Sequence, residues 1–187
     1  MEAETLAALA LIGAAGFLVI TREMMRLGNI IQSRGVEIAG AGFLLLALAQ
    51  ILSATSYLIG GERIAYMTYV GSASSSLIAY LLLISSTSKE SNEGDNSMAL
   101  APVTMLPASL DLASLVASAL LAWRAQGAAR AGFLLLSISH MLRSLPLVLG
   151  GVPALYLLLG GEVIRVAASV SLAVFYAGGL LRVAKEK

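Results

Sequence analysis

The chain has no cysteine and a single histidine, His140. The first absence removes disulfides, Fe–S clusters and thiolate metal sites. The second removes bis-histidine haem ligation, and one imidazole without clustered carboxylates makes a poor metal site. Charge is sparse as well. Asp, Glu, Lys and Arg make up 12% of the 187 residues, with a net charge of +1, so no basic patch argues for nucleic acid. No lysine falls inside an apolar run, which excludes a retinal-type Schiff base. Neither a G-x-S-x-G elbow nor a G-x-x-x-x-G-K-[ST] phosphate loop occurs. A membrane aspartyl protease needs two deep carboxylates, and only Asp111 lies deep in an apolar run. No enzymatic activity, cofactor or metal is expected.

What the chain has is apolar length. Hydrophobic residues make up 58% of it and the mean hydropathy is +0.88. Runs of about 20 apolar residues cross a hydrocarbon core of about 30 Å, and here short polar stretches separate them. Met1-Glu-Ala-Glu4 is acidic where a signal peptide carries positive charge, so the first run reads as a retained helix. The expected fold is an all-α integral membrane protein of six transmembrane helices, multi-pass in the cell membrane, with the lipid bilayer as its first partner.

One stretch is written twice. AGFLLLALAQILSATSYLIGG covers Ala41–Gly61, and AGFLLLSISHMLRSLPLVLGG covers Ala131–Gly151. The first copy leads into Gly60-Gly61-Glu62; the second is followed, after an apolar insert at Val152–Leu159, by Gly160-Gly161-Glu162. The chain therefore divides into two three-helix repeats. Residues 1–84 hold spans at about 6–20, 38–59 and 64–84. The polar linker 85–97 follows, and residues 98–187 hold spans at about 99–123, 131–149 and 163–181. Pro107 falls inside the fourth span and predicts a kink. Trp123 suits an interfacial aromatic position. The insert is too short to span and is expected in the interface or re-entering the bundle.

Three crossings per unit is an odd number, which predicts a second repeat inverted relative to the first, as in many transporters, and both termini on one face. Beyond the first span, Arg22, Arg26, Asn29 and Ser33 form a polar stripe, expected on an interfacial segment or on a helix continuing out of the bilayer.

Four polar side chains fall near mid-span: Gln50, Asp111, His140 and Arg143. An Arg or Asp at a helix centre costs about 2.5–3.5 kcal/mol on the insertion scale, so such groups face the interior and find partners. Asp111 is expected to pair with Arg143, and Gln50 to approach His140 across the two-fold axis. With Ser114, on the face of Asp111, this set is the candidate solute or ion pathway; the rival reading is an internal ion pair that fixes helix register. Glu62 with Arg63, and Glu162 with Arg165, read as acidic pairs opening helices, where the dipole favours an anion.

Small-residue ridges, Gly71/Ser75/Ala79 and Ser72/Ser76, let helix backbones approach in lipid. They suit packing within the bundle, a homodimer, or a partner membrane subunit. Two functions are expected in competition: a small-solute or ion transporter or channel using the midplane site, or a non-catalytic membrane subunit (anchor, assembly or sensor module) of a larger complex.

Overall fold

The computed structural model describes residues 2–59, 61–87, 107–149 and 154–185, with side chains excepted at 62, 107–109, 147–149, 177 and 179–185. Its elements are six helices and no strand among the described residues: α1 (Glu2–Ile31), α2 (Arg34–Leu58), α3 (Glu62–Thr87), α4 (Pro107–Arg124), α5 (Gly127–Leu149) and α6 (Ala154–Lys185). Four of them, α1, α2, α3 and α6, contain stretches long and apolar enough to cross a membrane. Their outer faces expose Leu11, Ile12, Leu18, Leu44, Leu48, Ile78, Val163 and Val170, while Ser53, Ser72, Asp111, His140, Arg143 and Glu162 are buried. Apolar side chains outside and charges inside is the distribution a lipid solvent imposes.

Several boundaries differ from the sequence reading. The polar stripe after Ile20 belongs to a single continuous α1, about 45 Å long at 1.5 Å per residue. The described part of α4 opens at Pro107, and the residues on the other side of the kink expected there lie outside the described residues. The expected start of that span at Ala99, and the linker from 88 onward, lie outside the described residues; Ser85–Thr87 belong to α3. The insert before the second Gly-Gly-Glu is helical over Ala154–Leu159 and is not a separate segment. It is the first part of α6, which runs unbroken through Gly160, Gly161 and Glu162.

Each helix touches its two neighbours in the order α1-α2-α3-α4-α5-α6, and α6 returns to α1, closing a ring. The helix directions correct the expected inversion. One end gathers Met24, Leu83, Leu121 and Tyr176 from the later parts of α1, α3, α4 and α6, with Val36 and Ala129 from the starts of α2 and α5. The other end gathers Tyr57 and Pro146 from the later parts of α2 and α5, with Tyr66 and Leu158 from the early parts of α3 and α6. Thus α1, α3, α4 and α6 run one way and α2 and α5 the other, and α1–α3 has the same sense as α4–α6. Parity predicts inversion only if Thr87 and Pro107 lie on one face. They lie at opposite ends of the bundle, as do the start of α1 and the finish of α6.

The duplicated stretch explains why neighbouring helices fit. Gly42 packs where a Cβ would meet Leu83 Cγ at 2.9 Å and the Ala79 carbonyl oxygen at 3.1 Å; Gly132 packs where one would meet Leu172 Cγ at 2.5 Å. The same glycine in each copy therefore admits the next helix, α3 onto α2 and α6 onto α5. Phe43 and Phe133, Leu46 and Leu136, Gln50 and His140, and Ser53 and Arg143 are all buried. The α1–α2 turn ends with Gln32 at φ 51 and with Ser33 N–H donating to the Gly28 carbonyl at 3.3 Å, the hydrogen bond of a Schellman cap.

Candidate functional site

The buried charged groups and their partners form two clusters joined by one tyrosine. In the first, His140 Nδ1 lies 2.8 Å from Asp111 Oδ1, bringing α5 onto α4. Nδ1–H donates to the carboxylate, so in a neutral ring Nε2 is left to accept a proton from Tyr80 on α3, 2.9 Å away. The Tyr69 hydroxyl, also on α3, donates to the second Asp111 oxygen. Tyr69, Asp111, His140 and Tyr80 thus make one unbroken chain of hydrogen bonds across α3, α4 and α5.

The second cluster centres on Glu162 of α6. Its Oε1 accepts from Tyr57 at 2.8 Å and lies 3.4 Å from Arg165 NH1 and 3.7 Å from Arg143 NH1. Gln50 completes it. With the amide oriented by its surroundings, its nitrogen donates to Glu162 Oε2 at 3.3 Å, and its oxygen accepts from Arg165 NH1 and Nε at 3.1 Å. Arg143 NH1 also donates to Ser53 Oγ at 3.3 Å, and Ser53 shares a 2.7 Å hydrogen bond with Ser72. Two carboxylates and two guanidiniums therefore sit in the interior, each no more than 2% exposed, and their formal charges cancel.

Local sequence explains the placement. The stem of Arg143 packs directly on α6: a Cβ at Gly161 would meet Arg143 Cγ at 3.4 Å, an ordinary van der Waals contact. Tyr69, Ser72, Ser76 and Tyr80 fall at i, i+3, i+7 and i+11, one face of α3, and that face looks into the ring. The clusters meet at Tyr69, whose ring lies 5.1 Å from the Arg143 guanidinium carbon while its hydroxyl holds Asp111.

Four expectations need correcting. Asp111 makes its direct contacts with His140 and Tyr69; the charge of Arg143 acts on it without an ion-pair contact, because Arg143 sits one turn beyond His140 and contacts Glu162. Gln50 does not approach His140; it faces α6, while His140 faces α3 and α4. Glu162 does not open a helix, being well inside α6, and its pair with Arg165 is part of the buried cluster. Ser114 is buried, but its hydroxyl has no partner among the described residues, so it stands outside both clusters. Glu62 does begin α3, though its side chain lies outside the described residues, and Arg63 is exposed. Sequence reasoning missed Tyr69 and Tyr80. The signal was their spacing in register with Ser72 and Ser76.

A cavity of about 310 Å³ lies beside the second cluster, lined by Tyr57, Tyr66, Tyr69, Arg143, Pro146, Ala154 and Leu158. Arg143 Nε has no hydrogen-bond partner among the described residues. The lining is otherwise aromatic and aliphatic, and Tyr66 and Ala154 are exposed. A second cavity, about 330 Å³, lies at the opposite end. Between the two stand Phe17, Phe43, Leu46, Tyr80, Leu136 and Leu172, all in the apolar core. Comparison with known protein families, with curated proteins and with solved structures gives no match.

Proposed function

We propose that the chain is a multi-pass cell-membrane transporter of small polar solutes, built from six spans as two sets of three, with its binding site where the sets meet. The observation that carries this reading is the cavity that reaches Arg143, a buried cation beside paired charges. Ion pairs kept only to fix helix register have no need of such a cavity. The sets are taken as parallel repeats about an axis along the membrane normal, one of the established transporter plans.

Charge placement supports an orientation. Arg22, Arg26, Arg34, Arg124 and Arg130 lie toward the end away from the 310 Å³ cavity, where α6 also finishes, whereas Arg63 lies at the cavity end. The excess of Lys and Arg marks the cytoplasmic side. The cavity then faces outward.

The test is entry of small polar solutes into sealed proteoliposomes, followed by osmotic swelling. His140→Ala and Asp111→Asn are each expected to abolish entry while helicity is kept. Unchanged flux in both variants would return the chain to the rival reading of a non-transporting membrane subunit.

A further inference from the structure

We propose that the 330 Å³ cavity at the basic end holds one anionic phospholipid of the surrounding leaflet, with its phosphate on Arg124 and one acyl chain between the helix ends. The proposal goes beyond the transport reading and needs only that the bundle sits in a bilayer.

The cavity is divided by polarity. Met24, Leu83, Leu121 and Phe133, from α1, α3, α4 and α5, form an apolar floor, and all four are buried. The rim is polar. It carries Arg124 at the end of α4, Gln126 in the turn to α5, Ser33 before α2 and Tyr176 on α6. Arg124 and Gln126 are exposed, and Ser33 and Tyr176 are half-buried. Among the described residues, the Arg124 guanidinium, the Gln126 amide and the Ser33 and Tyr176 hydroxyls have no hydrogen-bond or ion-pair partner. No carboxylate lines the cavity: Glu23 and Glu37, near the same end of α1 and α2, are not on its wall.

Unengaged donors above an apolar floor fit an anion that carries a hydrocarbon. The guanidinium fork matches phosphate oxygens, and the Tyr176 hydroxyl can donate beside it. Depth selects a lipid as that anion. Trp123, next to Arg124, is 82% exposed, and an exposed tryptophan at a helix end sits at headgroup level, where phospholipid phosphates lie. Arg22, Arg26, Arg34 and Arg130 lie toward the same end, and basic pockets between membrane helices take acidic headgroups. A soluble phosphate would use the rim and leave the floor to water. The volume is at the lower end of small-molecule sites, which start at about 300 Å³, so the cavity takes one chain of the lipid. Phe175 lines the cavity and is 41% exposed, which places the second chain outside, against α6.

The full chain in mild detergent is titrated with phosphatidylglycerol, or with phosphatidylcholine of the same acyl chains, and bound lipid is counted by native mass spectrometry. Expected is one phosphatidylglycerol per chain, held at least about fivefold more tightly than phosphatidylcholine. Arg124→Gln should remove that preference. Arg130→Gln, an exposed arginine of the same end that does not line the cavity, should change it by no more than about twofold. Tyr176→Phe keeps the ring contact with Phe43 at 5.2 Å and should weaken the lipid about threefold. Val36→Trp fills the cavity from α2 without touching Arg124 and should block retention with helicity unchanged; Ala39→Leu, a smaller filling of the same wall, serves if the tryptophan disturbs folding. Equal retention of the two lipids, equal effects of Arg124→Gln and Arg130→Gln, or full retention in a filled and folded variant overturns the site. Complete displacement of the lipid by excess inorganic phosphate overturns the lipid as its occupant.

Discussion

Replacing Glu162 with Gln removes one negative charge and keeps nearly the same shape. Tyr57 can still donate to the amide oxygen, so the change isolates charge from packing. What remains is Arg143 and Arg165, each 2% exposed, with Asp111 as the nearest carboxylate and already engaged by His140 and Tyr69. Breaking a buried pair by removing one partner costs about 3–5 kcal/mol, because the other charge is left uncompensated. Glu162 is the carboxylate both guanidiniums contact, while the charge of Asp111 continues to act on Arg143, which places the expected loss toward the lower part of that range. Reversible unfolding in mixed micelles, followed by helicity as the SDS fraction rises, measures it. Adding Arg165→Gln to Glu162→Gln should restore part of the loss, since it removes one uncompensated cation, and the double-mutant cycle reads that coupling directly. A loss below about 1 kcal/mol for Glu162→Gln, or strict additivity with Arg165→Gln, would refute the assignment of Glu162 as the shared counter-ion.

Three further predictions concern the scaffold. Gly132→Ala drives a Cβ to 2.5 Å from Leu172 Cγ, the branch point of a fully buried side chain, and is expected to cost about 1–3 kcal/mol; Leu172→Ala in the same chain should remove most of that increment. Gln32 holds φ 51 at the α1 cap, a conformation that costs a non-glycine residue about 1–2 kcal/mol, so Gln32→Gly should raise the unfolding midpoint. Reporter fusions at the two termini should appear on opposite faces of the membrane; the same face for both would restore an inverted arrangement.

Much of the interior was legible because charge inside an apolar run is expensive. Gln50, Asp111, His140 and Arg143 announced themselves that way, and each is buried. The duplicated AGFLLL was legible as a unit, and its glycine, phenylalanine and third leucine are the residues that pack. The pairing was not legible. Helical spacing places His140 and Arg143 one turn apart, but it does not say which of them is level with Asp111. Glu162 was hidden by its glycines: before a charged residue Gly-Gly reads as a turn, whereas here both glycines lie inside α6. Tyr69 and Tyr80 blended into an apolar run because most of a tyrosine is apolar, and only the hydroxyl makes it part of the network. The helix directions depended on which faces the segment between Thr87 and Pro107 connects, and a count of spans carries no information about that.

The absence of native cysteine allows the most direct measurement, whether water reaches Arg143 from the face opposite the basic end. Pro146→Cys and Leu158→Cys place thiols on the cavity wall, Arg63→Cys at its exposed end, and Ser137→Cys beside Ser118 in the interior. Each is treated in sealed cells with a small membrane-impermeant thiol reagent. The expected result is labelling at 63, 146 and 158 from outside, with 137 protected. Labelling at 63 with protection at both 146 and 158 would contradict it, and would mean a dry bundle whose charges serve only to hold the helices together.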